Sequence, residues 1–241
     1  NPMAYRMTTS PAMLYDKAIK SFIAKYKGQN IIIVSESGSD NNKSDFTTAL
    51  KSGLNKAGIS FKTVGQNYDL ATELKNASNT TGRNVLIPTS ASDATLKRIF
   101  AAIDDSAESY TLFGYPEWQI YTNLYSQFYK YDTNIYSIFF LDENQSKVIN
   151  LNNEYKSWYN RSIHNSYPKY AFLGYDMGLY FMSALNKFGK DMNTKIQNFD
   201  APTLQSAIQF ERESNKGGYV NTGLYFIHFK NNSTIEKTEC K

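Results

Sequence analysis

Cysteine and histidine are nearly absent from this chain of 241 residues: one Cys, at position 240, and two His, at 164 and 228. A lone Cys excludes an intrachain disulfide and fits a reducing or an oxidising compartment alike. With so few soft ligands there is no Cys/His cluster of metal-binding spacing. Neither His sits in a motif, no Gly-x-Ser-x-Gly elbow occurs, and no Gly-rich phosphate loop occurs. Nothing here points to catalysis or to a cofactor, so the expectation is a non-enzymatic protein. Long apolar runs are missing too. The longest, Tyr170 to Leu185, contains Asp176 and falls short of the about 20 residues that cross a bilayer, so it reads as a buried helix and not a membrane span. The charge of +4 is dispersed among many Lys, with no basic run interleaved with aromatics, which argues against nucleic acid as a partner. The chain opens on Asn1-Pro2 without a basic, apolar leader, so any secretion signal is expected to have been removed already.

Aromatic residues are plentiful: 19 Tyr and 15 Phe bring the aromatic share to 15%. Tyr joins an apolar body to a polar tip, so the excess points either to a polar-edged core or to a groove. Three short apolar runs each end in a small polar loop followed by a helix-like segment. They are Ile31-Ile32-Ile33-Val34 before Ser35-Glu36-Ser37-Gly38, Val85-Leu86-Ile87 before Pro88-Thr89-Ser90, and Thr111-Leu112-Phe113 before Gly114-Tyr115-Pro116-Glu117. Such runs are too short for buried helices and do not alternate, so they predict strands covered on both faces. The fold class is therefore α/β, a doubly wound parallel sheet flanked by helices, with the polar loops converging at the carboxyl ends of the strands.

Boundaries follow from caps and stops. A short entry strand over 4–8 precedes Ser10-Pro11, an N-cap with Pro in the first turn, and that helix stops at Gly28. Further helices are expected from Phe46 to Gly58, from Tyr68-Asp69 through Leu74, and after the cap Ser92-Asp93. Strands are expected over 61–64 and 135–141. Trp118, Tyr121, Tyr125 and Phe128 recur at helical spacing and predict an aromatic helix over 118–129; exposed it would stack on sugars or receive a partner helix, buried it is a core face. Helices over 152–161, 172–188 and 202–210 and a strand over 224–229 complete the chain. The domain reading is a doubly wound lobe over residues 1–141 and an aromatic-rich return segment over 142–241.

The order of these pieces resembles the type I periplasmic-binding-protein superfamily, the two-lobed solute-binding proteins for branched-chain amino acids. The matching stretches are Tyr5-Arg6 and the helix to Gly28, Asn30 to Val34, Leu54-Asn55-Lys56-Ala57-Gly58, Val85-Leu86-Ile87, Leu112-Phe113-Gly114-Tyr115 and Asn153-Glu154-Tyr155-Lys156. Leu173-Gly174-Tyr175-Asp176, opening a helix to Gly189, is the most telling. The resemblance implies the second lobe plus the return segment of that fold, with a first-lobe region either cut away or replaced by a different completion. Tyr115-Pro116-Glu117-Trp118 and the aromatic second half also look like envelope relatives in which such a domain follows LysM modules. A periplasmic or envelope location is implied, and a small polar ligand, amino-acid-like or derived from the cell wall.

By this resemblance the loop with Ser35, Ser37, Asp40 and Asn41 helps close over a ligand; otherwise its side chains satisfy turns and caps. Thr89 and Ser90 occupy the second loop. Tyr115, Glu117 and Trp118 occupy the third, and the resemblance makes Glu117 the partner of a ligand ammonium group; alternatively it is a surface carboxylate held by Pro116. Tyr175 and Asp176 face a cleft or, for Asp176, complement a helix dipole. An envelope interaction module with no small-molecule ligand is the competing function. The apolar return segment is expected to be covered by a second copy, making a homodimer, or by its own carboxyl-terminal strand folding onto the sheet.

Overall fold

A computed structural model describes all residues except 66–68, 165 and 241. The elements in chain order are β1 (Tyr5–Arg6), α1 (Pro11–Tyr26), β2 (Asn30–Val34), α2 (Ser44–Lys56), β3 (Phe61–Val64), α3 (Leu70–Ala77), β4 (Arg83–Pro88), α4 (Asp93–Ile103) and β5 (Ser109–Gly114). Then come α5 (Tyr125–Lys130), β6 (Asn134–Ser137), α6 (Ser146–Tyr159), α7 (Tyr170–Phe188), α8 (Met192–Lys195), β7 (Phe210–Arg212), β8 (Tyr219–Asn221), β9 (Tyr225–Phe229) and β10 (Ile235–Glu239). Their contacts divide the chain into two compact units, one of residues 15–137 with 226–241 and one of residues 1–14 with 138–225. Compared with a cut at Leu141, both chain ends change sides, because β1 pairs with β8 and β9 lies beside β6.

The unit of residues 15–137 and 226–241 holds a seven-stranded sheet in the order β10-β9-β6-β5-β4-β2-β3. Strands β2, β3, β4, β5 and β6 pair in parallel, with Ile31 beside Val85 and Leu86 beside Leu112. Ile31 to Val34 are buried at every position, and so are Val85 to Ile87 and Leu112 and Phe113. Consecutive burial, rather than alternation, means that both faces of the sheet are covered. Helices α1 and α2 touch through Ile19 and Gly53, and α3 packs against α4. The predicted caps are present: Met13 N lies 3.4 Å from Ser10 Oγ, Ser92 Oγ accepts from Thr95 N, and Gly28 and Gly58 end their helices at positive φ. Asp69 caps α3 through Thr72 N, while Tyr68, expected to open that helix, lies outside the described residues. Much of the aromatic excess is core, with Phe22 and Phe113 rings 4.8 Å apart, Phe46 and Tyr136 5.0 Å, and Phe113 and Phe226 5.4 Å.

In the unit of residues 1–14 and 138–225 a three-stranded sheet runs β1-β8-β7, parallel for β1 with β8 and antiparallel for β7 with β8. Tyr180 is buried and Phe181 partly buried among Tyr5, Phe199, Phe210 and Tyr219, so the unit covers this apolar face itself. A second cluster joins Val148 of α6, Phe172 of α7 and Leu204.

Four expectations are corrected. The stripe over 118–129 is not one helix but 3-10 turns over Pro116–Ile120 and Thr122–Leu124 followed by α5, because Tyr121, at φ −88° and ψ 59°, breaks the helical path. Residues 202–210 are not helical. Their backbone is drawn out instead: Phe140 N donates to Gln205 O at 2.8 Å and Ala207 N to Ile138 O at 3.0 Å. Those bonds also end the strand expected over 135–141 at Ser137, with Phe139 left in an isolated bridge to Ser206. Helix α6 starts at Ser146, six residues earlier than expected, which brings Val148 into the cluster with Phe172 and Leu204. The carboxyl-terminal strand does fold onto the sheet, as β9, and Phe226 on it is buried.

Candidate functional site at the strand ends

Strand β2 has β3 on one side and β4 on the other, so the chain reverses its direction of travel across the sheet there. Loops diverge at such a point and leave a crevice at the carboxyl ends. Here the crevice between the β2 and β4 loops is stitched by hydrogen bonds. Glu36 N donates to Thr89 Oγ1 at 2.8 Å, Thr89 N to Val34 O at 2.8 Å, and Lys43 N to Thr89 O at 2.9 Å. Ala91 N donates to Asn42 Oδ1 at 3.0 Å. Thr89 and Ser90 are consequently buried, and the Ser90 hydroxyl is engaged with Ser92 Oγ and Ser92 N, both at 3.2 Å, bracing the cap of α4.

The charged groups of the rim pair with one another. Glu36 forms an ion pair with Arg98 of α4. Lys43 Nζ donates to Glu117 Oε1 at 2.5 Å and stands 5.2 Å from the centroid of the Tyr115 ring. An ammonium against a carboxylate and an aromatic face is held by both attractions. Tyr115 is fully buried and its hydroxyl donates to Pro88 O at 2.5 Å; burial first, then the Glu117 charge, holds its phenol well above the ordinary range. The Tyr15 phenol is raised by burial, then by Asp45 and Glu117, and that of Tyr121 by burial, then by Asp93 and Glu117. Glu117 is thus the electrostatic centre of the rim. Its second oxygen, Oε2, is buried and has no hydrogen-bond partner among the described residues, and the same holds for Asn41 Oδ1.

Of the residues read from the sequence, Ser35, Thr89, Ser90, Tyr115 and Glu117 lie on this rim, and Asn41 is half-buried beside it. Ser37 and Asp40 are exposed on the 3-10 turn Gly38–Asp40. Trp118 lies under the rim as core: its ring sits so close to Gly114 that a Cβ there would meet Cη2 at 2.1 Å, and it stacks on Phe128 at 5.7 Å. Tyr175 and Asp176 belong to the unit of residues 1–14 and 138–225. Tyr175 is exposed, and Asp176 is fully buried, accepting from Leu204 N, Gln205 N and Ser206 N at 2.6, 2.8 and 2.7 Å. Sequence reasoning missed Lys43, Arg98 and Tyr15, whose contacts are long-range and leave no local spacing to read.

No family model matches the chain, and no curated protein matches it. Solved structures do. A substrate-binding protein of an ABC transporter from Desulfitobacterium hafniense, in complex with Leu, aligns over 93% of this chain and 65% of its own at 12% identity and a TM-score of 0.53. A branched-chain amino acid ABC transporter protein from Thermus thermophilus with bound valine aligns over 96% and 65%, at 13% identity and a TM-score of 0.52. Full-length LpoA from Haemophilus influenzae aligns over 98% of this chain and 43% of its own, at 12% identity and a TM-score of 0.54. The chain therefore spans between 43% and 65% of the length of these structures. At such identities the likeness establishes the fold alone, and that fold is the type I periplasmic-binding-protein α/β fold.

Proposed function

We propose that this chain is a non-enzymatic binding domain of solute-binding type, working in the periplasm or cell envelope and taking a small polar ligand with an ammonium group at the strand-end rim. The observation that carries the reading is Glu117: Oε1 holds Lys43 while Oε2 is buried without a donor. Once a ligand ammonium displaces Lys43, a carboxylate oxygen that is already desolvated and lacks a donor gains a charge-assisted bond at little further desolvation. The amino-acid complexes of the similar structures support the same ligand class. Isothermal calorimetry with amino acids, short peptides and muropeptides tests it. Glu117→Ala is expected to weaken the bound member by about 2 kcal/mol, since a desolvated ammonium loses its partner. Equal affinity in variant and parent removes Glu117 from the site.

A second reading rests on a different observation. Glu36 and Glu117 already have cationic partners within the chain, so neither carboxylate presents an unneutralised charge. That suits an envelope interaction module that binds no small molecule, and the likeness to LpoA shows that the fold is shared beyond proteins named as transporter components. Absence of heat from every ligand in the panel favours this reading.

A further inference from the structure

Within the unit of residues 1–14 and 138–225, helix α7 turns Phe172, Asp176, Tyr180 and Ala184 inward, where all four are buried. At about 100° per residue the side opposite them is centred on Gly178. Along that outer side run Ala171, Gly174, Gly178, Met182 and Leu185, flanked by Tyr170 and Tyr175. Met182 is 74% exposed, Tyr170 67%, Leu185 56% and Tyr175 39%. Asp176 is the only charged residue from Tyr170 to Asn186, and it faces inward. Lys169 and Lys187 lie about two and a half turns to either side of Gly178, which puts both on the inner side, and the Lys187 ammonium stands over the Phe188 and Phe199 rings. Four turns of helix therefore meet water without a charge. The exposed parts of the four large side chains amount to roughly 500 Å², as large as the main apolar patch of a typical monomer and often functional. Two such faces together bury on the order of 1,000 Å², the lower limit for a specific interface.

Side-chain size along the face runs from small to large. Ala171 and Gly174 occupy the amino-terminal half, Met182 and Leu185 the carboxyl-terminal half. Glycine inside a helix costs stability relative to alanine, yet neither Gly174 nor Gly178 has a positive φ, and a Cβ built on either meets nothing within 4 Å. Nothing inside the chain uses the space they leave. A second copy of the face does use it: antiparallel about a two-fold axis at Gly178, it sets Leu185 against Ala171 and Met182 into the notch at Gly174, and the two Gly178 backbones meet on the axis. A parallel pair would set large side chains on large ones. With no charge on the face, pairing with itself opposes no like charges.

We propose that the outer side of α7 is a self-association surface, through which two copies of this chain pair as an antiparallel, two-fold symmetric helix pair with Gly178 on the axis. Sedimentation equilibrium of the chain from about 5 to about 500 µM is expected to show the mass rising from one chain toward two, as befits an interface of this small area. Met182→Glu carries a carboxylate into the notch, and because Met182 is exposed the fold is expected to stay intact by circular dichroism while the protein remains monomeric throughout. Gly174→Leu separates the two roles of that position. It removes a helical glycine, so the dilute protein should unfold at a higher temperature, and it fills the notch, so association should weaken at least about tenfold. In a Cys240→Ala background, Gly178→Cys should form an intermolecular disulfide, since the axis brings position 178 against its own copy, whereas Trp158→Cys, exposed on α6, should not. The proposal is overturned if the chain is still a monomer at about 500 µM, which leaves the face to a different partner. It is equally overturned if Met182→Glu and Gly174→Leu associate like the parent, or if Gly178→Cys cross-links no more than Trp158→Cys.

Discussion

Replacing Asp176 by Ala removes a buried carboxylate that accepts the backbone N–H groups of Leu204, Gln205 and Ser206, at 2.6, 2.8 and 2.7 Å. Those three consecutive donors have their partner on α7, so the variant orphans all of them together. A buried unsatisfied donor costs about 1–3 kcal/mol, which sets an upper range near 3–9 kcal/mol for the set. Two effects reduce it: the variant no longer desolvates a carboxylate, and water can enter the space left behind. An expected loss of about 3–5 kcal/mol remains. The damage should be local first, because Leu204 packs with Val148 and Phe172 and the surrounding backbone is tied to the 138–140 segment, Phe140 N donating to Gln205 O and Ala207 N to Ile138 O. Hydrogen exchange by mass spectrometry should show the 202–209 peptide losing protection, and urea unfolding should report the global loss. Asp176→Asn keeps the volume but turns an NH2 toward one set of donors, so it should fall between the parent and Asp176→Ala. Tyr175→Ala, at the exposed neighbour, should change stability by less than about 0.5 kcal/mol. If Asp176→Ala unfolds within about 0.5 kcal/mol of the parent with unchanged exchange at 202–209, the carboxylate does not hold this segment.

Gly114→Ala should destabilise by about 2–4 kcal/mol in urea unfolding, because the added methyl meets the fully buried Trp118 ring at 2.1 Å in a packed core; the loss should shrink when Trp118→Leu is added. The Asp132 carboxyl lies below its ordinary range: burial acts upward, but the hydrogen bond and charge of His228 and then Arg83 outweigh it. A depressed folded value means that its contribution is present above the unfolded value near about 4 and is lost as pH falls through the folded value, so Asp132→Asn should flatten the acid limb of a stability-against-pH curve below about pH 4; parallel acid limbs would sink this assignment. Lys43→Ala should cost less than about 1 kcal/mol of stability, as expected for a partly exposed ion pair. In calorimetry the same variant should strengthen binding of any ammonium-bearing ligand, by freeing Glu117 Oε1.

What could be read from the residues was whatever is written locally. Ile31 to Val34, Val85 to Ile87 and Leu112-Phe113 announce two-faced burial by being consecutive and β-branched or bulky, and Ser10-Pro11, Ser92 and Gly28 announce helix ends by their own backbone chemistry. The three-residue strands Phe210–Arg212 and Tyr219–Asn221 carry no comparable mark. They exist because Tyr5 and Arg6, more than 200 positions away, pair with Tyr219 and Val220. Residues 202–210 have a helical look that Asp176, distant in sequence, overrides. The aromatic stripe from Trp118 to Phe128 shows the limit of periodicity: 3-10 turns interrupted at Tyr121 bury Trp118, Leu124 and Phe128 as well as one helix would. On the rim, Glu117 was singled out by its loop, but its partner Lys43 precedes it by 74 positions and only the fold brings them together.

That pairing bears directly on how the rim works. A free amino acid approaching Glu117 competes with an ammonium that is already tethered there, and a tethered group forfeits far less entropy on binding than a diffusing one. A ligand therefore gains by displacing Lys43 and supplying compensating contacts elsewhere, because Oε2 is buried and is reached only once that ammonium has moved. The hydroxyls of Thr89 and Ser90 are already committed to bracing the β4 loop, so those contacts would come from Ser35, Asn41 and the exposed Ser37 and Asp40. A stitched rim of this kind is pre-formed rather than ordered by its ligand, which lowers the conformational cost of binding while narrowing the chemistry that fits. The selectivity expected of it is for a compact donor that takes the place of Lys43 against Glu117 and Tyr115, and against long side chains that would need the β2 and β4 loops to part.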